Sequence, residues 1–507
     1  MRAWLLTTCC SLLCLAGCRT IQPEGSTVPV GDGDPLSSKD QAFAKALAHY
    51  GQGLLCQSEE GNTSERALRQ LQAAAEADPE NHDLHSRIAV IALRRKMPEA
   101  AVAALETSYR YDPRTYERCV DLAAIYQAVG RREDAIVQYK KALKLDRTPE
   151  AVYVALAGLY FQGSKDRLAL QMLERGRKHA ETNALIPIFT FEQAKRFVTH
   201  KAIARAIPCF EKLAEWDASR RPQLYQLLGE LYLTQGDQAS AIDVLTRATQ
   251  LPTPLPEAFT SLAAIHLQRN ERALGLSVLE DAVAQAPDNL MLLFTLGCVY
   301  SDGDAYAKAI PLFEQASHLS VAKNAIAKEP ALLTEAFYLY YGAAYERTGR
   351  IDDAKHVFET CIRNYPKSDR ALNYLAYMLA EADRDLDQAR GYVERAIAMA
   401  PDNAAYLDTL GWIYFQQGRH KEALKEIKQA EALMGTPDPE LLHHLGDIHS
   451  ALKDEQQAIA CWSASYALDP KNETVAEQLR KRGLDLDAIL RDTMMEEATP
   501  TNAPHAP

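Results

Sequence analysis

A small residue that is followed four positions later by a large apolar residue recurs at nearly constant spacing along this chain. Most steps between successive small residues are 34 or 35 positions long. The small residues are Ala67, Ala101, Ala135, Ala169, Ala206, Ala241, Gly275, Ala309, Ala354, Ala389, Ala423 and Ala458. A unit of this length cannot bury its own apolar face, so copies have to stack on one another. The spacing therefore predicts an array of repeats, which grows in one dimension without a larger core.

Residues 404–437 show the pattern of one repeat most clearly. Leu407 and Gly411 fall on one face of a first helix, and Gly418 marks the turn into a second helix. The small residues Gly411 and Ala423 stand where the two helices must touch. Good helix formers are frequent between the turns, and alternating runs of Val, Ile and Thr are missing. The sequence therefore predicts helices and almost no sheet.

Two further positions recur with the same period. Pro follows the second helix at Pro79, Pro113, Pro287, Pro366, Pro401 and Pro470. The first helix carries Tyr or Phe at Tyr126, Tyr160, Phe197, Tyr232, Tyr300, Tyr345 and Tyr414. This period and pattern closely resemble the tetratricopeptide repeat (TPR) family. The match departs from the family pattern at His266 and His449, where Tyr is usual.

The resemblance implies an all-α fold, a right-handed α-solenoid of about twelve helix–turn–helix repeats over residues 40–472. A capping helix is expected over 473–495, because repeat arrays need a polar outer face at their ends. A disordered tail is expected over 496–507. The step from Ala309 to Ala354 is 45 residues long, which predicts lengthened helices and a break near Pro330. This insert bends the array, fits a partner or is a tolerated drift between repeats.

The N-terminus has the features of an export signal. Arg2 precedes an apolar run that is too short for a comfortable transmembrane helix. The run ends in Leu15-Ala16-Gly17-Cys18, which resembles the lipobox of bacterial lipoproteins. The resemblance implies a signal peptide over 1–17, lipidation of Cys18 and a flexible tether over 18–39. An ordinary secretory signal that happens to end in Cys is the alternative.

A lipid-anchored chain of this kind is expected in the bacterial cell envelope. In the lipoprotein family an Asp after the lipidated Cys favours retention in the inner membrane, and Arg19 stands there instead. We therefore expect the outer membrane, with the protein facing the periplasm. Two or three acyl chains suffice for stable anchoring, whereas one chain binds only marginally.

Charge and motifs exclude several classes of function. The net charge is −12 with a pI of about 5.6, whereas nucleic-acid binding requires a basic surface. No phosphate-binding glycine loop, nucleophile elbow or zinc motif is present in the sequence. We therefore predict no catalytic activity, no cofactor, no metal and no small-molecule substrate. His443 and Asp447 have a spacing that can hold a metal, but we interpret them as structural because no third ligand shares their face.

The remaining candidate is the concave surface that first helices form in TPR arrays. Its candidate partner-binding residues are Phe161, Phe191, Phe294, Tyr377, Asp408, Trp412, Phe415, His443 and Asp447. Exposed aromatic residues on a rigid groove are typical interaction anchors, although some of these could instead pack between repeats. We therefore predict a scaffold that binds other envelope proteins or peptide segments for assembly, secretion or export machinery. A self-associating spacer, or an accessory subunit of an envelope enzyme or polysaccharide-export complex, is the alternative.

Overall fold

The computed structural model describes residues 37–327 and 333–491, with the side chains of 322–327 left out. These ranges contain twenty-five complete α-helices, a further helical segment over 486–491 and no strand. Twenty-four of the helices form twelve antiparallel hairpins, so the predicted all-α solenoid of about twelve repeats is confirmed. Its right-handed sense stays a prediction. The predicted signal, Cys18, nearly all of the tether and the tail lie outside the described residues.

The first compact unit ends at Thr253 and contains repeats one to six. Its helices are α1 (Ser38–Glu60), α2 (Glu65–Ala77), α3 (His82–Arg94), α4 (Pro98–Tyr111), α5 (Tyr116–Ala128), α6 (Arg132–Leu145), α7 (Glu150–Gln162), α8 (Asp166–His179), α9 (Leu185–Thr199), α10 (Ile203–Trp216), α11 (Arg221–Thr234) and α12 (Gln238–Thr249). Odd-numbered helices are the first helices of their repeats, and even-numbered helices are the second.

The second compact unit begins at Pro254 and contains repeats seven to twelve and the cap. Its helices are α13 (Pro256–Gln268), α14 (Arg272–Gln285), α15 (Leu290–Ser301), α16 (Tyr306–Ala327), α17 (Glu335–Arg347), α18 (Ile351–Asn364), α19 (Asp369–Glu381), α20 (Leu386–Met399), α21 (Ala404–Gln416), α22 (His420–Leu433), α23 (Pro439–Ala451), α24 (Glu455–Leu468) and α25 (Glu473–Lys481). No helix in the described ranges is long and apolar enough to cross a bilayer.

The turns between paired helices rely on left-handed backbone conformations. The glycines that the sequence places there have positive φ, as at Gly418 (73°) and Gly349 (76°). Glycine adopts this region without a steric cost because it has no Cβ. Asn270 and Lys453 occupy the same turn in other repeats and also have positive φ, at 60° and 65°. The turn geometry is therefore constant although the residue is not.

The paired helices touch where the sequence provides small residues. A Cβ added at Gly411 would overlap the Ile427 side chain and lie 3.2 Å from the carbonyl oxygen of Ala423. Ala423 and Ile427 are fully buried. The predicted close contact between Gly411 and Ala423 is therefore confirmed, and it explains why the small residue keeps its phase from repeat to repeat.

Tyrosines of the first helices also link neighbouring repeats through hydrogen bonds. The Tyr126 hydroxyl donates to Glu106 of the preceding second helix at 2.7 Å, and Tyr345 donates to Glu314 at 2.8 Å. Burial, followed by the bond to Glu106, raises the pKa of Tyr126 to about 12. The guanidinium of Arg131 lies 4.3 Å from the centre of the Tyr126 ring. The recurring tyrosine therefore satisfies its hydroxyl while its ring fills the core.

The insert and the cap differ in part from their predictions. The helix before the insert is lengthened to 22 residues, as predicted, but the helix after it has the ordinary 13, and Pro330 lies outside the described residues.

The single capping helix predicted over 473–495 is wrong. The helix ends at Lys481, Gly483 turns with φ 76°, and a second helical segment covers 486–491. Its apolar residues pack with those of α25 over Trp462.

Candidate functional site

The first helices of repeats ten, eleven and twelve bring their side chains together on one side of the second unit. The Tyr377 hydroxyl on α19 donates a hydrogen bond to the Glu440 carboxylate on α23, 63 residues away. Repeats in such arrays normally contact only their immediate neighbours. A bond that passes over repeat eleven requires the first helices to converge, so this is the inner side of these three repeats. We call it the first-helix surface.

Three rings stack at the centre of the first-helix surface. The Trp412 ring lies 4.2 Å from the ring of His444 and 4.8 Å from that of Phe415, measured between centroids, with interplanar angles of 16° and 13°. His444 is only 2% exposed, and its Nδ1 lies 2.9 Å from Oδ1 of Asp408. The stack therefore joins repeats eleven and twelve, and Asp408 fixes the orientation of the imidazole.

The two adjacent histidines respond to this environment in opposite directions. Burial lowers the pKa of His444, but the charge of Asp408 and its hydrogen bond outweigh burial and raise the pKa overall. Burial lowers the pKa of His443, and the nearby Asp447 only partly opposes this. His443 Nε2 lies 3.4 Å from Oδ2 of Asp447 without hydrogen-bond geometry, and Oδ1 of the same carboxylate accepts a 2.9 Å bond from Trp462 Nε1. His444 therefore holds its proton more firmly than His443 does.

The balance of charge on the first-helix surface is acidic. The carboxylates of Glu381, Asp408, Glu440 and Asp447 act on the histidine pair. Burial, followed by the bond to Glu440, raises the pKa of Tyr377 far above its ordinary value. Carboxylates beside aromatic faces are suited to a cationic side chain, which gains both ionic hydrogen bonds and cation–π contact.

Two buried nitrogen atoms in this cluster lack hydrogen-bond partners. They are Nε1 of Trp412, a side chain that is 7% exposed, and Nε2 of His443. A buried donor left unpaired costs about 1–3 kcal/mol. A backbone carbonyl of a bound protein segment would remove that cost if it accepted a hydrogen bond from either nitrogen.

A recess of about 460 Å³ lies beside the cluster at the N-terminal ends of α19 and α21. Its lining consists of Asp369, Arg370, Asn373, Tyr374, Asn403 and Tyr406. The recess is absent from the sequence-based predictions, although a signal for it exists. Asn373 stands 35 positions before Asp408, as Tyr377 stands 35 positions before Trp412. Comparing equivalent positions in consecutive repeats would have added Asn373, which lines the recess, to the candidate surface residues.

The structure brings six of the nine predicted surface residues together, namely Tyr377, Asp408, Trp412, Phe415, His443 and Asp447. The expectation of exposure is wrong for Trp412, because His444 of the next repeat covers its ring. It is also wrong for Phe161, which is 4% exposed and packs edge-on against Phe197 at 5.5 Å.

The remaining two aromatic residues are half-buried and lie apart from the cluster. Phe191 belongs to the first unit and packs edge-on against Phe210 at 6.1 Å. Phe294 packs against Phe337 at 5.7 Å within the core of the second unit. Partner binding by all nine residues stays a prediction. No group of three His, Cys, Asp or Glu side chains in the described part of the chain is arranged to hold a metal ion.

Comparison with known families agrees with this architecture. Two family models, both described as tetratricopeptide repeat, match the chain. One matches residues 59–114, 342–404 and 379–437, and the other matches 116–149, 222–252 and 439–472. The chain belongs to the tetratricopeptide repeat family. TPR arrays are scaffolds for protein–protein interaction, and the fold is generally non-catalytic.

Individual relatives of this TPR chain differ in how much they share with it. A TPR repeat-containing protein of Pseudomonas aeruginosa is 37% identical over 86 residues, which are 17% of this chain and 14% of that protein. The chain thus spans only about a seventh of that relative's length. DnaJ homolog subfamily C member 3 of Mus musculus is 20% identical over 425 residues, which cover 82% of this chain and 72% of that protein.

Two solved structures align with this chain at low sequence identity. The APC/C hetero-tetramer Cut9–Hcn1 gives a TM-score of 0.38 at 14% identity, covering 89% of this chain and 98% of that chain. PilW, described as a widely conserved type IV pilus biogenesis factor, gives 0.37 at 19% identity, covering 44% of this chain and 98% of that chain. Both scores lie under 0.5, and neither supports a conclusion about function.

The His444–Asp408 pair makes the stability of repeats eleven and twelve depend on pH. The pKa of His444 is raised above its ordinary 6.5, so its contribution is complete below pH 6.5 and disappears as pH rises through the raised value. Asp408→Asn is therefore expected to lower the free energy of unfolding by about 1–3 kcal/mol at acidic pH, and by less at alkaline pH. Urea unfolding at about pH 5.5 and pH 9 measures the difference. An equal loss at both pH values would contradict the assignment.

Proposed function

We propose that the first-helix surface binds an extended segment of another protein and prefers a segment with a Lys or Arg side chain. The observation that carries this proposal is the convergence of three first helices, shown by the Tyr377–Glu440 bond, around an aromatic stack edged by carboxylates. Aromatic rings supply apolar area at low entropic cost, and the charges select the partner.

Each part of the surface has a distinct role in this proposal. The cationic side chain lies among Glu381, Asp408 and Glu440. A neighbouring side chain of the segment enters the recess next to Asn373, whose Oδ1 is buried without a partner and can accept a hydrogen bond. The half-buried Phe415 offers the edge of the ring stack to apolar groups. The segment therefore runs across repeats ten to twelve.

Photo-crosslinking from a defined position tests the proposal. A photoreactive phenylalanine analogue at Phe415 is expected to capture a partner whose crosslinked peptide contains Lys or Arg, identified by mass spectrometry. The matched control places the same analogue at Lys425 on the second helix, where the side chain is 75% exposed. Equal capture at both positions, or capture only at Lys425, would place the binding surface elsewhere.

The proposed setting is the bacterial cell envelope. The sequence Leu15-Ala16-Gly17-Cys18 after a short apolar run supports a lipid anchor at Cys18. Arg19 supports the outer membrane, with the TPR array in the periplasm. The anchored array would serve as a scaffold for assembly, secretion or export machinery. A lipid anchor keeps such a scaffold at the membrane without a spanning helix.

Cys18→Ala is expected to abolish both lipidation and removal of the signal, because the thiol is the atom that accepts the diacylglycerol. Metabolic labelling with a radioactive fatty acid checks the lipid, and the mass of the chain checks processing. Cys56→Ala is the matched control, since this buried cysteine lies within α1. A wild-type chain that carries no label would show that the anchor is absent.

A further inference from the structure

The recess at the N-terminal ends of α19 and α21 presents two side chains whose hydrogen-bonding groups are free to meet a ligand. Oδ1 of Asn373 is buried and accepts no hydrogen bond from the described residues. The exposed guanidinium of Arg370 makes no ion pair or hydrogen bond with any residue that the structure describes. Both side chains line the recess and stand three positions apart on α19, which is about one helical turn. The recess therefore offers an acceptor and a donor side by side.

Two other oxygen-bearing side chains of the recess are already engaged within the fold. The Tyr406 hydroxyl donates a hydrogen bond to the Asp369 carboxylate. Oδ1 of Asp369 also accepts the backbone N–H of Arg370 at 2.9 Å. Oδ1 of Asn403 accepts the backbone N–H of Ala405 at 3.1 Å and so caps α21. These two side chains therefore serve the local structure and leave the acceptor on α19 to a ligand.

The charges around the recess favour a neutral ligand. The carboxylates of Asp369 and Glu335 both lie close enough to raise the pKa of Tyr406, and the charge of Arg370 opposes them. A carboxylate in the recess would meet Arg370 but would be repelled by the two acidic side chains. An ammonium group would meet the acidic side chains but would be repelled by Arg370. A neutral group meets no like charge and can still form hydrogen bonds.

We propose that the recess binds the side-chain amide of an Asn or Gln residue in the partner segment. This inference rests on the function proposed for the first-helix surface and names the second side chain that the surface selects. A primary amide carries an N–H donor for Asn373 Oδ1 and a carbonyl acceptor for Arg370. A carboxylate has no donor, and an ammonium has no acceptor. The Tyr374 ring, 42% exposed and stacked on Phe358 at 5.7 Å, offers a flat wall for the aliphatic part of the side chain.

The position of the recess on α19 sets the spacing of the two selected side chains. Asn373 and Arg370 stand four and seven positions before Tyr377, whose hydroxyl bonds Glu440 where the cationic side chain is proposed to lie. These steps correspond to about 6 Å and about 10 Å along the same face of the helix. An extended segment advances about 3.3 Å per residue. The Asn or Gln should therefore lie about two or three residues from the Lys or Arg.

A displayed peptide library with Lys at its centre and random residues on both sides tests this spacing on the immobilised wild-type chain. We expect Asn or Gln to be enriched two or three residues from the Lys. A recovered peptide is then synthesised with Gln, Glu or Leu at that position, because these side chains have similar sizes and differ in charge and hydrogen bonding. Fluorescence polarisation should show that the Glu and Leu peptides bind at least tenfold more weakly than the Gln peptide.

Variants of the recess should change this preference in a defined way. Asn373→Asp keeps the acceptor and adds a negative charge, so the preferred residue should change from Gln to Lys. Arg370→Met removes the guanidinium and keeps an aliphatic side chain, so it should weaken the Gln peptide at least fivefold and leave the Leu peptide unchanged. Arg395→Met on α20 is the matched control, because Arg395 is also exposed and the change in charge is the same. Circular dichroism should show unchanged helicity in all three variants.

The outcomes separate the amide site from the binding surface itself. Peptides that require Lys but show no enrichment of Asn or Gln, or that bind equally with Gln, Glu and Leu, would overturn the amide site and leave the binding surface in place. Enrichment of Asp or Glu would instead assign the recess to a carboxylate, and enrichment of a second Lys or Arg would assign it to a cation. A library in which no Lys peptide is recovered would contradict the proposed function, and the amide site would be rejected with it.

Discussion

Trp462→Ala is expected to lower the stability of the C-terminal repeats by about 3–5 kcal/mol. Trp462 is 1% exposed and fills the space that Gly446 leaves open, where a Cβ would overlap the indole. Its Nε1 donates to Asp447 at 2.9 Å, and the guanidinium of Arg482 lies 4.1 Å from the ring centre. Alanine would leave a large cavity and an unpaired carboxylate, and the cap would lose the ring beneath it.

Hydrogen–deuterium exchange is the appropriate measurement for this variant, because repeat arrays unfold region by region. Protection should fall in α23, α24 and α25 and remain close to wild type in repeats one to six. Leu468→Ala on the same helix is the control, since Leu468 is 51% exposed and should change little. A uniform loss along the chain, or no loss in the cap, would be inconsistent with a local role for Trp462.

Reversing the charge of the first-helix surface should remove most partner binding. Asp408→Lys places a cation where the proposed partner's own cation lies, and we expect recovery of the crosslinked partner to fall at least tenfold. Asp408 also holds His444, so Glu381→Lys is the second variant, because Glu381 is exposed and its side chain lies outside the core. Both variants should weaken binding.

The matched control for these variants is Asp387→Lys. Asp387 lies on the second helix of repeat ten with a side chain that is 89% exposed, so its reversal changes net charge by the same amount. If Asp387→Lys lowers recovery as much as Asp408→Lys does, the effect comes from the total charge of the protein and not from the first-helix surface. Helicity measured by circular dichroism should be the same in all three variants.

The repeats could be read from sequence because one physical constraint recurs in every copy. Two helices that cross at Gly411 and Ala423 cannot accept larger side chains, so a small residue returns at each period. The end of the capping helix also has a local signal, which the prediction over 473–495 missed, because Gly483 has the left-handed conformation that commonly follows a helix C-terminus. These features depend on local geometry alone.

The details of the first-helix surface depend on curvature, which no single repeat encodes. The Tyr377–Glu440 bond exists because three first helices converge, and nothing in the two local sequences predicts it. Trp412 occupies a position that faces the groove, yet it is covered because the next repeat provides His444 there. Sequence therefore placed Trp412 on the first helix of repeat eleven, but it did not predict that a side chain of the next repeat would bury the ring.

Selection from a random peptide library on the immobilised wild-type chain is the sharpest test of the proposed binding surface, because the partner does not have to be identified first. We predict that recovered peptides are enriched in Lys or Arg flanked by apolar residues, and that they bind the Asp408→Lys and Glu381→Lys variants at least tenfold more weakly than Asp387→Lys. Recovery of acidic peptides, or of peptides that bind all variants equally, would contradict the proposal that the first-helix surface of repeats ten to twelve is the binding site.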